Sequence, residues 1–264
     1  MLEKSKKIAF FDSGVGGLTV FDKVKKLLPN ENYIYFGDLK NIPYGEKSKE
    51  ELIKIADGIF KFFEKKDVKA VVMACNTTSA NTYEELKNNY SFKIYPIIQS
   101  CASVIAKLPI EKIGILATKA TIESGVYGKE LKKYNPNLEV FEQSCPPWVR
   151  IVEEKLQDSP QSVEIVKDYL KSMLKNSPEK IILGCTHYPY LLNILSKMEE
   201  KALFIDPSEN FAKFIKEDLE KNGLLNDEGQ GSEEFFVSAD REKFKEASSM
   251  FYTVKELTTL FEDL

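Results

Sequence analysis

The chain has 264 residues, 43% of them hydrophobic and 30% charged, and carries a net charge of −4. That length buries a sizeable core, as one large domain or two of about 100–150 residues each, and the composition is that of a soluble globular protein. The acidic balance argues against a nucleic-acid surface, which needs a clustered basic excess. No apolar run approaches the ~18 residues of a membrane span, and the N-terminal run is too short for a signal-peptide core, so a cytoplasmic setting is expected.

In chain order, the apolar residues 8–11 predict a strand, and a helical pattern over 19–28 follows, ended by Pro29. Residues 33–36 predict the next strand. Ser48-Lys49-Glu50-Glu51 has the form of a capping box and opens a helix running to Glu64. Residues 71–74 predict a strand and a helix continues through Leu86. Further strands are expected at 94–98, 113–117, 138–141, 181–183 and 203–205, with helices between them. Lysines such as Lys23, Lys25, Lys61 and Lys65 alternate with apolar residues at helical spacing and are expected to be solvated faces. Residues 226–232 predict an exposed loop. Continuous apolar strands separated by helices are the pattern of parallel sheets covered on both faces, an α/β class.

The two halves resemble each other. Strand 8–11 ends in the polar turn Asp12-Ser13-Gly14, and strand 71–74 ends in Cys75-Asn76-Thr77. In the second half, strand 113–117 ends in Thr118-Lys119-Ala120-Thr121, and strand 181–183 ends in Gly184-Cys185-Thr186 after a similar interval. Two related α/β lobes facing each other are therefore expected.

Of the four cysteines, none forms a CxxC pair, so no zinc site is expected, and a reducing compartment argues against structural disulfides. Cys101 falls in a helical pattern and Cys145 precedes Pro146-Pro147; both read as small incidental thiols. Cys75 and Cys185 fall at the carboxyl ends of strands, where sites form in open α/β sheets. Each precedes a polar residue at an expected helix start, and a helix N-terminus lowers a thiol pKa. The only histidine, His187, stands two residues after Cys185. Asp12-Ser13-Gly14-Val15-Gly16-Gly17 is a glycine-rich turn able to cradle an anion, but it is neither GxGxxG nor a P-loop.

Two thiols on opposite sides of a cleft suit inversion of a carbon centre. One removes a proton from one face while the other returns a proton to the opposite face, and groups of similar pKa let the reaction run both ways. The charge pushed onto a neighbouring carboxylate needs donors. The backbone amides at Asp12-Ser13 or Asn76-Thr77 and the hydroxyls of Ser13, Thr77, Thr121 and Thr186 are candidates, with Asp12 assisting Cys75 and His187 assisting Cys185.

Phe11-Asp12-Ser13-Gly14-Val15-Gly16-Gly17, Pro43-Tyr44-Gly45, Ala74-Cys75-Asn76-Thr77, Ala117-Thr118-Lys119-Ala120-Thr121-Ile122 and Gly184-Cys185-Thr186-His187-Tyr188-Pro189 together resemble the bacterial glutamate racemases of the aspartate/glutamate racemase family. The resemblance implies two flavodoxin-like lobes related by a pseudo-twofold axis, residues 1–97 with 208–264 and residues 98–207, with the site in the cleft. It implies a cofactor-independent, metal-free interconversion of L- and D-glutamate that supplies peptidoglycan synthesis, and a homodimer with no nucleic-acid or membrane partner. Cys75 would act on the D-glutamate face and Cys185 on the L-glutamate face. Asp12, Ser13, Tyr44, Gly45, Asn76, Thr77, Thr186 and His187 would line the pocket.

The family also places a glutamate near the histidine-side thiol, in a segment matching Val149-Arg150-Ile151-Val152-Glu153. Helix spacing puts Glu153 beside the apolar stripe, four residues after Val149. It puts Glu154 on the polar side, four after Arg150, so Glu153 is assigned to the site and Glu154 to a solvated ion pair. Proline is common in the family where Arg150 stands. Three other activities fit parts of the pattern. They are racemisation of aspartate or another acidic amino acid, Cys–His nucleophilic catalysis by Cys185 and His187, and amino-acid binding without chemistry.

Overall fold

The computed structural model describes residues 3–254 and 256–259. Met1 and Leu2 of the N-terminal run, and residues 255 and 260–264 of the expected C-terminal return, lie outside the described residues. Ten strands are described: β1 Ile8–Asp12, β2 Tyr33–Gly37, β3 Ala70–Met73, β4 Lys93–Pro96, β5 Lys112–Ala117, β6 Glu139–Ser144, β7 Lys180–Gly184, β8 Phe204–Ile205, β9 Glu233–Val237 and β10 Thr258–Thr259. The helices between them are α1 Leu18–Leu27, α2 Lys49–Lys65, α3 Asn76–Leu86, α4 Ile97–Ile105, α5 Lys119–Glu123 and α6 Val126–Tyr134. They continue with α7 Pro147–Glu153, α8 Pro160–Leu174, α9 Leu192–Leu195, α10 Pro207–Lys221 and α11 Arg241–Ser248.

The strands form two parallel sheets, ordered β10-β9-β2-β1-β3-β4 and β6-β5-β7-β8. The four strands β2-β1-β3-β4 and the four strands β6-β5-β7-β8 follow the same pattern: first strand inside, second on one flank, third on the other, fourth beyond it. This is the flavodoxin-like order, and its site lies between the first and third strands at their carboxyl ends. The strands β1, β2 and β3 are buried at every residue, as their unbroken apolar runs predict for a sheet with helices on both faces.

Local signals place the helices. Ser48 caps α2 with a complete capping box: its side chain accepts from the Glu51 amide and Glu51 returns to the Ser48 amide. On α2, Leu52, Ala56, Ile59, Phe60 and Phe63 recur at helical spacing and are buried against Phe11 and Phe36 of the first sheet and Phe92 just before β4. Truncating the wholly buried Phe60 to alanine costs about 3–5 kcal/mol by lost transfer and an unfilled cavity.

Two expectations need correction. The strand expected over 94–98 stops at Pro96, and Ile97 and Ile98 open α4 with Pro96 as its N-cap. An apolar stretch alone does not separate a buried strand end from a buried helix start. Lys23 and Lys25 are half-buried rather than freely solvated: Lys23 donates to Asp206 at 2.5 Å and to Ser208, joining α1 to the start of α10, and Lys25 pairs with Glu233. Pairing had no signal in the sequence because the acids lie some 200 residues away. A buried ion pair between residues 38 apart likewise carries no signal in the sequence. Lys69 Nζ reaches Glu31 at 2.5 Å with both side chains fully buried, and also donates to the carbonyls of Lys4 and Leu224. Removing one partner alone strands a buried charge, a loss of about 3–5 kcal/mol.

Candidate active site

A cavity of about 560 Å³ opens where the carboxyl ends of both sheets face each other. Its walls include Ser13 after β1, Cys75 and Asn76 after β3, Thr118 after β5 and Cys185 after β7. The equivalent strands of the two sheets therefore deliver equivalent residues to one space. Ten of the residues read from the sequence line it: Ser13, Tyr44, Gly45, Cys75, Asn76, Thr77, Glu153, Cys185, Thr186 and His187. Asp12 and Thr121 do not. Both are fully buried and stand behind residues that do.

The Cys75 end follows from a strand running straight into a helix. Cys75 is the N-cap of α3, so the first amides of the helix, at Asn76 and Thr77, are left without intrahelical partners beside the thiol. The expected depression of the thiol does not occur. Burial pushes the Cys75 thiol up to about 12, helped by the charges of Asp12 and Cys185 and opposed by the hydroxyl and amide of Thr78. Removal of water outweighs the helix terminus.

The glycine-rich turn also differs from the expected anion cradle. Its Gly14 amide donates to Asp12 Oδ1 at 3.0 Å, so the turn wraps its own carboxylate. Burial holds the Asp12 carboxyl above its usual range against the pull of His187 and of the Gly14 and Gly17 amides. Thr186 joins the arrangement from the second sheet, with Oγ1 3.4 Å from Asp12 Oδ2. A glycine is required at position 16: a Cβ there would lie 2.4 Å from Thr186 Oγ1 and 2.9 Å from His187 Nδ1. Only a bare backbone allows the turn before α1 to approach the histidine this closely.

The Cys185 end is built otherwise. No α-helix starts there; a turn leads into a short 3-10 segment, Tyr188–Leu191, with His187 as its N-cap. The sequence Thr186-His187-Tyr188-Pro189 carries Pro189 just after the start of that segment, which passes directly into the single-turn helix α9. Cys185 Sγ and His187 Nδ1 are 3.7 Å apart, within hydrogen-bond range for sulfur. His187 Nε2 lies 3.2 Å from Glu153 Oε1, close enough to pair as charges but without hydrogen-bond alignment. Burial alone would lower the imidazole pKa; contacts with Cys185 and Glu153 outweigh it and raise it well above the ordinary value. Glu153 moves the opposite way: burial works to raise it, and His187 and Lys243 hold it below its usual range. Glu154 takes the role read from spacing, accepting from Arg150 Nε at 2.8 Å on the exposed side of α7.

Two placements refine the hydroxyl donors. The hydroxyls of Thr77, Thr118 and Thr121 form a ring, with Thr77 to Thr118 at 2.9 Å, Thr118 to Thr121 at 2.9 Å and Thr77 to Thr121 at 3.3 Å. Thr118 lines the cavity and Thr121, the threonine expected there, backs it. The signal for Thr118 was present, since it directly follows β5 as Ser13 follows β1. Tyr44 lines the cavity, but its hydroxyl donates to Asp38 Oδ2 and is taken. Arg150 and Lys119 also line the opening. Among the described residues, no group of three His, Cys, Asp or Glu side chains is placed to hold a metal ion. No helix of the described residues is long and apolar enough to cross a membrane.

Known proteins resemble this chain in sequence and in fold. The chain is 41% identical over 93% of its length to a protein named glutamate racemase 2 of Caldanaerobacter subterraneus subsp. tengcongensis, covering 93% of that protein. It is 39% identical over 98% of its length to the glutamate racemase of Thermoanaerobacter pseudethanolicus, covering 98% of it. The fold matches the crystal structure of glutamate racemase from Francisella tularensis subsp. tularensis SCHU S4 in complex with D-glutamate. The TM-score is 0.91 at 33% identity, over 97% of this chain and 98% of that one. With the family profile described as Asp/Glu/Hydantoin racemase matching residues 16–214, the chain belongs to the Asp/Glu/hydantoin racemase family.

Proposed function

We propose that this chain interconverts L- and D-glutamate without a cofactor, using Cys75 and Cys185 as the two proton-transferring groups. One observation carries this: two thiols, each at the carboxyl end of the equivalent strand of two like-ordered sheets, line a single cavity. The similarity to proteins named glutamate racemase, one of them with D-glutamate bound, supports glutamate as the acid.

Starting from L-glutamate, Cys185 passes its proton to His187 Nδ1, and the resulting imidazolium is favoured by Glu153. The sulfur then takes the α-proton from one face. The electron pair of the broken C–H bond moves toward the α-carboxylate, where the first amides of α3 and the hydroxyls of Thr77 and Thr118 are the available donors. Cys75, held protonated by its burial, gives its proton to the opposite face. The step leaves Cys185 as a thiol, His187 as an imidazolium and Cys75 as a thiolate, the state from which D-glutamate reacts in reverse with Asp12 next to Cys75. Loss of the imidazolium proton to water and uptake of a proton from water by Cys75 restore the starting state.

The lobes in this proposal are residues 1–97 with 208–264 and residues 98–207. The enzyme is a cytoplasmic homodimer, and its D-glutamate serves peptidoglycan synthesis. Incubation with L-glutamate in D₂O should give D-glutamate deuterated at the α carbon. Undiminished racemisation in both Cys75→Ala and Cys185→Ala would sink the two-thiol mechanism, and faster turnover of aspartate than glutamate would move the substrate to the shorter acid.

A further inference from the structure

Asn76 and Tyr127 meet between helices that follow different sheets. Asn76 opens α3 and lines the cavity, while Tyr127 lies on α6. The Tyr127 hydroxyl donates to Asn76 Oδ1 at 2.6 Å, and this is its only hydrogen-bond partner among the described residues. Both residues are buried, at 1% and 2% exposure. A buried phenolic proton needs an acceptor, and a side-chain amide offers one only at its oxygen. The flipped amide would set its NH₂ against the phenol and leave that proton unmet. Tyr127 thereby decides which way the Asn76 amide faces: oxygen toward α6, nitrogen away from it.

That nitrogen, Nδ2, is buried and has no partner. An unmet buried donor is costly, and it is the exception in folded proteins. Asn76 is the first residue of α3, whose opening amides have nothing to donate to inside the helix and belong to the same cavity wall. Convergent donors call for an anion.

We propose that Tyr127 is a positioning residue: it holds Asn76 so that Nδ2 is kept as the donor to a carboxylate oxygen of the substrate. This rests on the glutamate reading only for the identity of that acid. A carboxylate is common to both enantiomers, so the effect of Tyr127 is the same for each, unlike that of either thiol.

Tyr127→Phe removes only the hydroxyl. Calorimetric binding of D-glutamate should weaken about tenfold, and KM for both enantiomers should rise alike with kcat little changed. In an Asn76→Ala background the same substitution should change the dissociation constant by less than about twofold, because Tyr127 acts through Asn76. An undiminished effect in that background would mean that Tyr127 serves the fold and not the amide. If Tyr127→Phe fails to fold, Asn76→Asp replaces it. The aspartate still accepts from Tyr127 but donates nothing, and glutamate binding as tight as in the parent would overturn the proposal. So would unchanged binding in Asn76→Ala, which would show Nδ2 met elsewhere, as by a water in the void of about 10 Å³ behind Asn76. Coupling between the two residues without racemisation by the parent enzyme would refute the proposed function alone. Racemisation without coupling would refute the role of Tyr127 alone.

Discussion

The two thiols occupy matching places in matching sheets, yet their surroundings share little. Cys75 caps a full helix, is pushed up to about 12 by burial, and has a buried carboxylate, Asp12, for company. Cys185 sits in a turn that leads into a 3-10 segment and is followed by the only histidine, itself backed by Glu153. A repeated backbone supplies the symmetry of position, while the protonation chemistry comes from what each lobe has placed around the strand end. A reversible reaction between mirror images needs the first and tolerates the second, because only the two proton-transfer distances must correspond.

The largest test of this contrast removes one thiol at a time. Cys75→Ala and Cys185→Ala should each lose about 10³-fold or more in racemisation, the range expected for deleting an acid–base group. The remaining thiol should still exchange the α-proton of one enantiomer with D₂O, L-glutamate for Cys75→Ala and D-glutamate for Cys185→Ala. NMR of each enantiomer reads this directly, and exchange into both by either variant would erase the facial assignment.

Gly16→Ala should come next. Its Cβ meets Thr186 and His187, so the histidine must shift, and a displacement near 1 Å costs about 10²-fold in kcat. A crystal structure of the variant should show the imidazole moved; normal activity with an unmoved ring would mean that α1 yields instead.

His187→Asn is expected to be smaller and one-sided. It should slow proton removal from L-glutamate about tenfold more than from D-glutamate, seen in the primary isotope effects of the two directions. Equal slowing would make the histidine a structural part of both ends.

The smallest effect is on stability against pH. Cys75 has its folded pKa raised above the unfolded value, so its contribution is fully present below the unfolded pKa of about 8.5. It is lost as the pH rises through that value toward about 12. The parent should therefore lose melting temperature faster than Cys75→Ala between pH 8 and the alkaline limit of folding, while Cys101→Ser, outside the cavity, leaves the Cys75 contribution in place. Parallel curves for the parent and Cys75→Ala would mean that the thiol is not held protonated by the fold.

Much of this was legible in the chain. The capping box at Ser48 and Glu51 formed as read, the apolar strands became parallel sheets, and the spacing that separated Glu153 from Glu154 matches the His187 and Arg150 contacts. These are short-range facts, set by side-chain periodicity and by groups a turn or two apart. What failed was of a different kind. The thiol at a helix start did not become acidic, the glycine turn enclosed its own aspartate, and Thr118, not Thr121, reached the cavity.

By itself, then, the sequence determined which elements form and that two thiols stand at the ends of equivalent strands. Only the tertiary structure decided that Cys75 is held protonated, that Asp12 lies behind the wall, and that Tyr127 orients Asn76 from another helix. Periodicity and capping act over a few residues along the chain. Burial, charge and hydrogen bonding act over a few ångströms in space, between groups that the chain itself keeps 50 to 180 residues apart.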